Sequence, residues 1–157
     1  MPRGRPAARR PPGSGTTLLG VSKKDLANHF AQVPLFSRCT KRELGAVARH
    51  AEVVDLPDGE EMITEGAPGD AFFIILDGRA QVERDGAVIS EAKAGDYFGE
   101  LALLDNQPRS ATVRACGQIS VAVLGVRMFR TILREFPDIA EQLLAGLAGE
   151  LRRARDD

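Results

Sequence analysis

The chain has 157 residues, which allows one domain plus a tail. Its 43% hydrophobic content suffices for a core, and a formal net charge of -1 with a pI near 6.2 excludes a polycation built to coat nucleic acid. No apolar run approaches the roughly 20 residues that cross a bilayer. The basic N-terminus continues into Pro-Pro-Gly-Ser-Gly instead of the apolar stretch of a signal peptide, so a cytoplasmic location is expected.

In chain order, residues 1–20 read as a disordered, basic, Pro/Gly-rich tail, and residues 21–157 as one domain. Pro2, Pro6, Pro11 and Pro12 block regular structure, and Arg3, Arg5, Arg9 and Arg10 supply the charge. A solvated leader and a tether to nucleic acid or acidic lipid both fit this composition. Ser22-Lys23-Lys24-Asp25 then predicts a capped helix start, with Leu26 and Phe30 on one face. Thr40-Lys41-Arg42-Glu43 predicts a second, with Leu44, Val47 and Ala51 as its stripe. Between them Val33-Pro34-Leu35-Phe36 interrupts the helical pattern. Cys39 and Cys116 form no CxxC pair and read as small buried hydrophobes; Cys39, just before a helix start, is the better placed if either thiol is reactive. His29 and His50 fall in the same helical region and read as structural.

From Val53 onward the pattern becomes one of short strands. Pro57-Asp58-Gly59 and Gly66-Ala67-Pro68-Gly69-Asp70 mark turns. Phe72 to Leu76 is a continuous apolar run, as in a strand covered on both faces. Asp77-Gly78 and Asp85-Gly86 each signal a two-residue hairpin. Further strands are predicted at 111–115 and 119–124, giving an antiparallel barrel or roll. The chain ends in two helices, one over 126–135 and one opened by Pro137. The last carries Ile139, Leu143, Leu144, Leu147 and Leu151 on its apolar face, and Gly146 and Gly149 each weaken it by about 1 kcal/mol relative to Ala.

The chemistry concentrates in Phe98-Gly99-Glu100-Leu101-Ala102-Leu103-Leu104, followed by Pro108-Arg109-Ser110-Ala111-Thr112-Val113. Gly99 admits a ligand close to the backbone. Residues 100–104 form helix readily, but Asp105-Asn106 and Pro108 stop it, leaving one turn whose N–H groups favour an anion. A guanidinium at Arg109 can bridge two phosphate oxygens. Glu100 would be repelled by phosphate, and an acceptor-only carboxylate suits a sugar hydroxyl. No GxxxxGK[ST] is present, so a triphosphate site is not indicated. Taken singly, Glu100 and Arg109 are equally readable as a salt bridge closing a loop, Gly99 as a turn residue and Ser110 as a solvated strand end.

At this spacing, FGELALL followed by PRSATV resembles the phosphate-binding cassette of cyclic nucleotide-binding domains, as in protein kinase A regulatory subunits, nucleotide-gated channels and catabolite activator-like regulators. The resemblance spans about residues 25–154 and includes Glu65-Gly66, Gly69-Asp70 and Phe73-Ile74-Ile75-Leu76 with Gly78. It implies an α+β fold: an antiparallel β-roll (a jelly-roll-like barrel) flanked by N-terminal helices and a C-terminal lid helix. It implies amides at Gly99, Leu101 and Ala102 on phosphate or ribose, Glu100 on the ribose 2′-OH, Arg109 on the cyclic phosphate and a contact from Ser110. Val82 and Ile89 would line the base side, and a residue near Leu147 or Leu151 would cap the base. In the family Ala at the Ser110 position goes with cAMP and Thr often with cGMP; Ser is intermediate, and cAMP is the expected ligand with cGMP the alternative.

No catalytic apparatus is apparent, so a non-enzymatic regulatory sensor is expected. Four cysteines for an iron–sulfur relative are absent, and no helix-turn-helix, kinase or channel segment follows the domain before Asp157. A protein partner or fused effector is expected, with nucleic acid reached only through the basic tail. The remaining alternatives are an interaction module that binds no nucleotide and the sensor part of a DNA-binding transcriptional regulator.

Overall fold

The computed structural model describes residues 22–105 and 107–156; the tail expected over 1–20 lies outside the described residues. Helix α1 (Lys23–Ala31) and helix α2 (Lys41–Arg49) both begin with complete capping boxes, Ser22 with Asp25 and Thr40 with Glu43. Each box satisfies two backbone donors that a helix start leaves open. A 3₁₀ turn at Pro34–Phe36 joins the two helices. The Lys23 ammonium donates to the carbonyls of Ala48 and Ala51 at 3.1 and 3.2 Å, closing the C-terminal end of α2.

Six strands follow: β1 (Glu52–Leu56), β2 (Glu61–Ile63), β3 (Ala71–Arg84), β4 (Ala87–Lys93), β5 (Tyr97–Phe98) and β6 (Thr112–Gly125). A four-residue helix, α3 (Ala102–Asp105), lies between β5 and β6. Helices α4 (Val126–Glu135) and α5 (Pro137–Asp156) complete the chain. All strand pairs are antiparallel, in the order β1-β6-β3-β4, with β2 added to β6 and β5 to β3. The result is a β-roll with helices at one side, not a closed barrel. Among the described residues no helix is long and apolar enough to cross a membrane.

Strands β3 and β6 pair from Ala71↔Gly125 to Glu83↔Thr112 and form the spine of the roll. They divide the core in two. On one side Phe72, Ile74 and Leu124 meet Leu26, Phe30, Phe36, Val47, Phe129 and Ile132 of the helices. Phe36 is central there, with ring centroids 5.7 Å from Phe30, 6.1 Å from Phe72 and 6.5 Å from Phe129. On the other side Ile75, Ala80, Val113, Ile119 and Val121 fill the roll. Burial of each such large apolar side chain stabilises by about 1.5–3 kcal/mol.

Two expectations are corrected. Asp77-Gly78 makes no hairpin: both residues lie inside β3, where the register slips on either side of Asp77 and Gly78 has φ +102°. A Cβ there would stand 2.9 Å from the Ile119 Cβ, so glycine is required for the close approach of β6 rather than for a chain reversal. The two strands expected at 111–115 and 119–124 are one strand, β6, which passes Gly117 in the left-handed region at φ +77°. Cys39 packs partly buried against the helical core, in keeping with a small hydrophobe, and burial, then the Glu43 carboxylate, pushes its thiol up to about 11. The Asp85-Gly86 hairpin does form, with φ +53° and +83° as a type I′ turn requires.

Candidate functional site

Three segments converge beside β3: the loop over 64–70, the turn over 99–105 and the approach to β6 over 107–111. Backbone bonds fasten the first to the third. The Gly66 amide donates to the Arg109 carbonyl at 2.9 Å, the Arg109 amide donates to the Ala67 carbonyl at 2.8 Å, and the Glu65 amide donates to the Thr112 hydroxyl at 2.9 Å. Gly69 is buried at the junction; a Cβ there would stand 2.7 Å from the Gln107 carbonyl and 3.0 Å from the Ala102 Cβ. Positions far apart in sequence are thereby held around one turn.

Arg109 projects into this junction. Its Nη2 donates to the Ala71 carbonyl, and its guanidinium carbon lies 6.0 Å from the Phe73 ring centroid. Burial lowers its pKa, and the Asp70 carboxylate opposes that shift. Gly99, at φ +83°, gives the guanidinium its room: a Cβ would collide with Nη1 and stand 2.7 Å from the Ala71 carbonyl. The site therefore holds a partly desolvated cation against glycine backbone, an arrangement suited to an oxyanion.

The turn that follows is tight. The Ala102 amide donates to the Gly99 carbonyl at 3.0 Å and the Leu103 amide to the Glu100 carbonyl at 3.2 Å. The expected ligand donor at Ala102 is thus engaged within the turn in this structure. Leu101 and Leu104 face solvent, while Ala102 and Leu103 are buried. Ser110 is exposed, and its carbonyl accepts from Arg84 Nε at 3.1 Å.

Glu100 stands at the edge of a cleft of about 390 Å³ lined by Val82, Ser90, Ala92, Asp96, Tyr97 and Phe98 together with Glu91. That volume falls in the range of about 300–1,000 Å³ usual for small-molecule sites. Burial raises the Glu100 pKa; a bond from its own amide opposes this, and the Glu150 carboxylate of α5 reinforces it. Arg109 and Glu100 thus flank Gly99, the cation toward β3 and the carboxylate toward the cleft. Val82 lines the cleft. Ile89 is 48% exposed and is not among its lining residues; Ser90 stands opposite Val82, and the register shift between Val82 and Glu83 passes over Ile89. Of the two suggested caps, Leu147 is partly buried at the rim of the helical core and Leu151 is 57% exposed.

Sequence reasoning missed Tyr97, Ser90, Ala92 and Glu150. The first three become visible only when the hairpin register is known. Glu150 lies in a polar, Arg-rich run that reads as a solvated helix end. Among the described residues no cluster of His, Cys, Asp and Glu could hold a metal ion.

Comparison with known proteins gives this geometry its family. The model described as "Cyclic nucleotide-binding domain" matches residues 53–136, more than half of the chain. A cAMP-dependent protein kinase regulatory subunit of Emericella nidulans is 42% identical over 104 residues, which is 65% of this chain and 25% of that protein. Its counterpart in Aspergillus niger is 39% identical over 110 residues, 69% of this chain and 27% of that protein. The chain spans about a quarter of the length of these relatives. Among solved structures, the N-terminal domain of a transcriptional regulator from Streptomyces coelicolor A3(2) superposes with TM-score 0.75 at 27% identity, covering 82% of this chain and 95% of that one. The regulatory domain of Toxoplasma gondii PKA, crystallised with cAMP, superposes with TM-score 0.63 at 29% identity, covering 82% of this chain and 50% of that one. With the matched residues running through β3, the Gly99 turn and Arg109, the chain belongs to the cyclic nucleotide-binding domain family.

Proposed function

We propose that this chain binds cAMP as a regulatory sensor domain. The observation that carries the reading is the placement of Arg109 and Glu100 on either side of Gly99, at one end of the cleft. The Arg109 guanidinium takes the cyclic phosphate, which would relieve a cation now served chiefly by the Ala71 carbonyl. The amides of Gly99, Leu101 and Ala102 add donors to phosphate or ribose, with the Ala102 turn bond yielding to the ligand. Glu100 accepts from the ribose 2′-OH. Val82 lies against the base, with Ile89 at the outer lip of the same hairpin, and Ser110 contributes a hydroxyl or backbone contact near the phosphate. Relatives named as cAMP-dependent kinase regulatory subunits, and neighbours solved with cAMP, favour adenine over guanine.

Helix α5 then responds to the ligand, because its Glu150 carboxylate lies within electrostatic reach of Glu100. Its altered position would be read by a protein partner or a fused effector. The structural likeness to the N-terminal domain of a transcriptional regulator supports a second output, control of DNA binding by a module outside this domain. A titration panel of cAMP, cGMP and 5′-AMP tests the reading: cAMP should bind most tightly, and 5′-AMP, whose doubly charged open phosphate does not match the Arg109 junction, most weakly. Equal affinity for all three, or none, would refute it.

A further inference from the structure

Helix α4 has two faces of opposite kind. Val126, Phe129 and Ile132 are buried in the helical core. Arg127, Arg130 and Arg134 are exposed. At 3.6 residues per turn the three arginines fall within an arc of about 60°, along roughly 10 Å of the helix axis. Arg130 stands three residues from Arg127 and four from Arg134, spacings at which like charges repel. Arg127 also lies in the first turn, at the positive end of the helix dipole, with no acidic residue beside it there. None of the three forms an ion pair with a described residue. Glu135, the one acid of the helix, lies about 100° round the axis from the middle of the stripe. A row of three cations left to solvent is complementary to an anionic surface of the same length.

The setting of the stripe says which anion it fits. The chain carries 21 basic and 22 acidic residues, so its overall field does not gather a polyanion. Three cations along two helical turns would neutralise only two or three phosphates of a nucleic acid, a weak and salt-sensitive hold. An acidic membrane surface calls for large apolar side chains beside the cations. On this helix Met128 is 39% exposed, but Val126, Phe129, Ile132 and Leu133 all pack on the core. Two turns of an acidic helix match the stripe in length, and each guanidinium fork can take a carboxylate through two bonds. We propose that the exposed face of α4 docks an acidic helical segment of a partner protein, with Arg127, Arg130 and Arg134 each taking a carboxylate. The Val126 amide donates to the Asp70 carbonyl at 3.1 Å, so this surface begins beside the loop that carries the candidate site. The inference goes beyond the nucleotide-sensing reading and does not depend on it.

The probe is a fluorescein-labelled, Ala-rich helical peptide with Glu at positions i, i+3 and i+7 of one face; its control carries Gln there. Both are titrated into the full chain and followed by fluorescence anisotropy. The wild type should bind the Glu peptide about tenfold or more tightly than the Gln peptide, the sum of three exposed ion pairs, and added salt should shrink the difference. A chain carrying Arg127→Ala, Arg130→Ala and Arg134→Ala should bind the two peptides alike. A chain carrying Glu at the same three positions should reject the Glu peptide and bind a Lys version of it. Ala and Glu both favour helix and the buried face is untouched, so α4 is expected to form in each, which thermal denaturation checks without any ligand. Equal binding of the Glu and Gln peptides by the wild type, or a preference that survives the three alanines, would overturn the proposal. Tighter, arginine-dependent binding to phosphatidylserine vesicles or to duplex DNA than to the Glu peptide would also overturn it, assigning the surface to a membrane or a nucleic acid. cAMP affinity should be the same in all three chains, so failure here leaves the cyclic-nucleotide reading standing.

Discussion

The guanidinium of Arg109 donates to the carbonyl of Ala71, the first residue of β3. One N–H of the fork is thereby spent on orienting the side chain, and the others remain for a ligand. The arginine is positioned before any nucleotide arrives, so little rotamer entropy is left to lose on binding.

Arg109→Lys tests the value of that fork. A lysine keeps the charge but cannot bridge the Ala71 carbonyl and two phosphate oxygens at once. cAMP affinity, measured by calorimetry, should fall by about tenfold or more, the loss of at least one charge-assisted bond. Full affinity would show that charge alone suffices.

Gly99→Ala should damage the fold and the site together. The residue sits at φ +83°, and the new Cβ would meet the Ala71 carbonyl at 2.7 Å as well as the arginine. Strain of this kind costs about 1–3 kcal/mol. Thermal denaturation should show a lowered midpoint, and the surviving folded fraction should bind cAMP poorly.

Gly146 and Gly149 make opposite predictions from the same helix. Alanine is intrinsically better than glycine in a helix by about 1 kcal/mol. At Gly149 a Cβ would meet only Arg153 Nη1 at 3.7 Å, an ordinary contact, so Gly149→Ala should stabilise. At Gly146 it would stand 2.7 Å from the Leu35 carbonyl and 3.1 Å from that of Pro34, so Gly146→Ala should lift α5 from the 3₁₀ turn and destabilise. Chemical denaturation of the two variants side by side checks the sign of each.

The Glu100 carboxyl predicts a pH dependence. Burial, and secondarily Glu150, raises its pKa in the folded chain above the ordinary 4.5. The protonated form is therefore favoured by folding: this contribution is fully present below the ordinary value and is lost as pH rises through the raised one. A neutral isostere removes the penalty. Glu100→Gln should be more stable than the wild type at neutral pH, with the difference closing as pH falls below the ordinary carboxylate range. The same variant should bind cAMP more weakly while losing less toward 2′-deoxy-cAMP.

Local chemistry made much of the frame legible. Both capping boxes, the Asp85-Gly86 turn and the start of α5 at Pro137 are set by a few adjacent residues, and the structure places each where the sequence does. The cassette was legible for the same reason, since Gly99 to Arg109 is a short run. What stayed hidden depends on distant chain. Asp77-Gly78 carries the signal of a left-handed glycine, and both a hairpin and a bulge use one; only the passage of Ile119 beneath it decides for the bulge. The resemblance implies Ile89 on the base side, but no local signal shows that the register shift between Val82 and Glu83 leaves Ile89 without a strand partner. Glu150 has no local signal at all, because its electrostatic coupling to Glu100 joins positions fifty residues apart in the chain.

The central claim is that Arg109 holds the cyclic phosphate, and isothermal titration of cAMP into the wild type and Arg109→Ala tests it most directly. The account predicts saturable binding of one cAMP per chain, weakened in the variant by about 2–5 kcal/mol, roughly 30- to several-thousand-fold. Wild-type affinity in Arg109→Ala, with the variant folded, would contradict it.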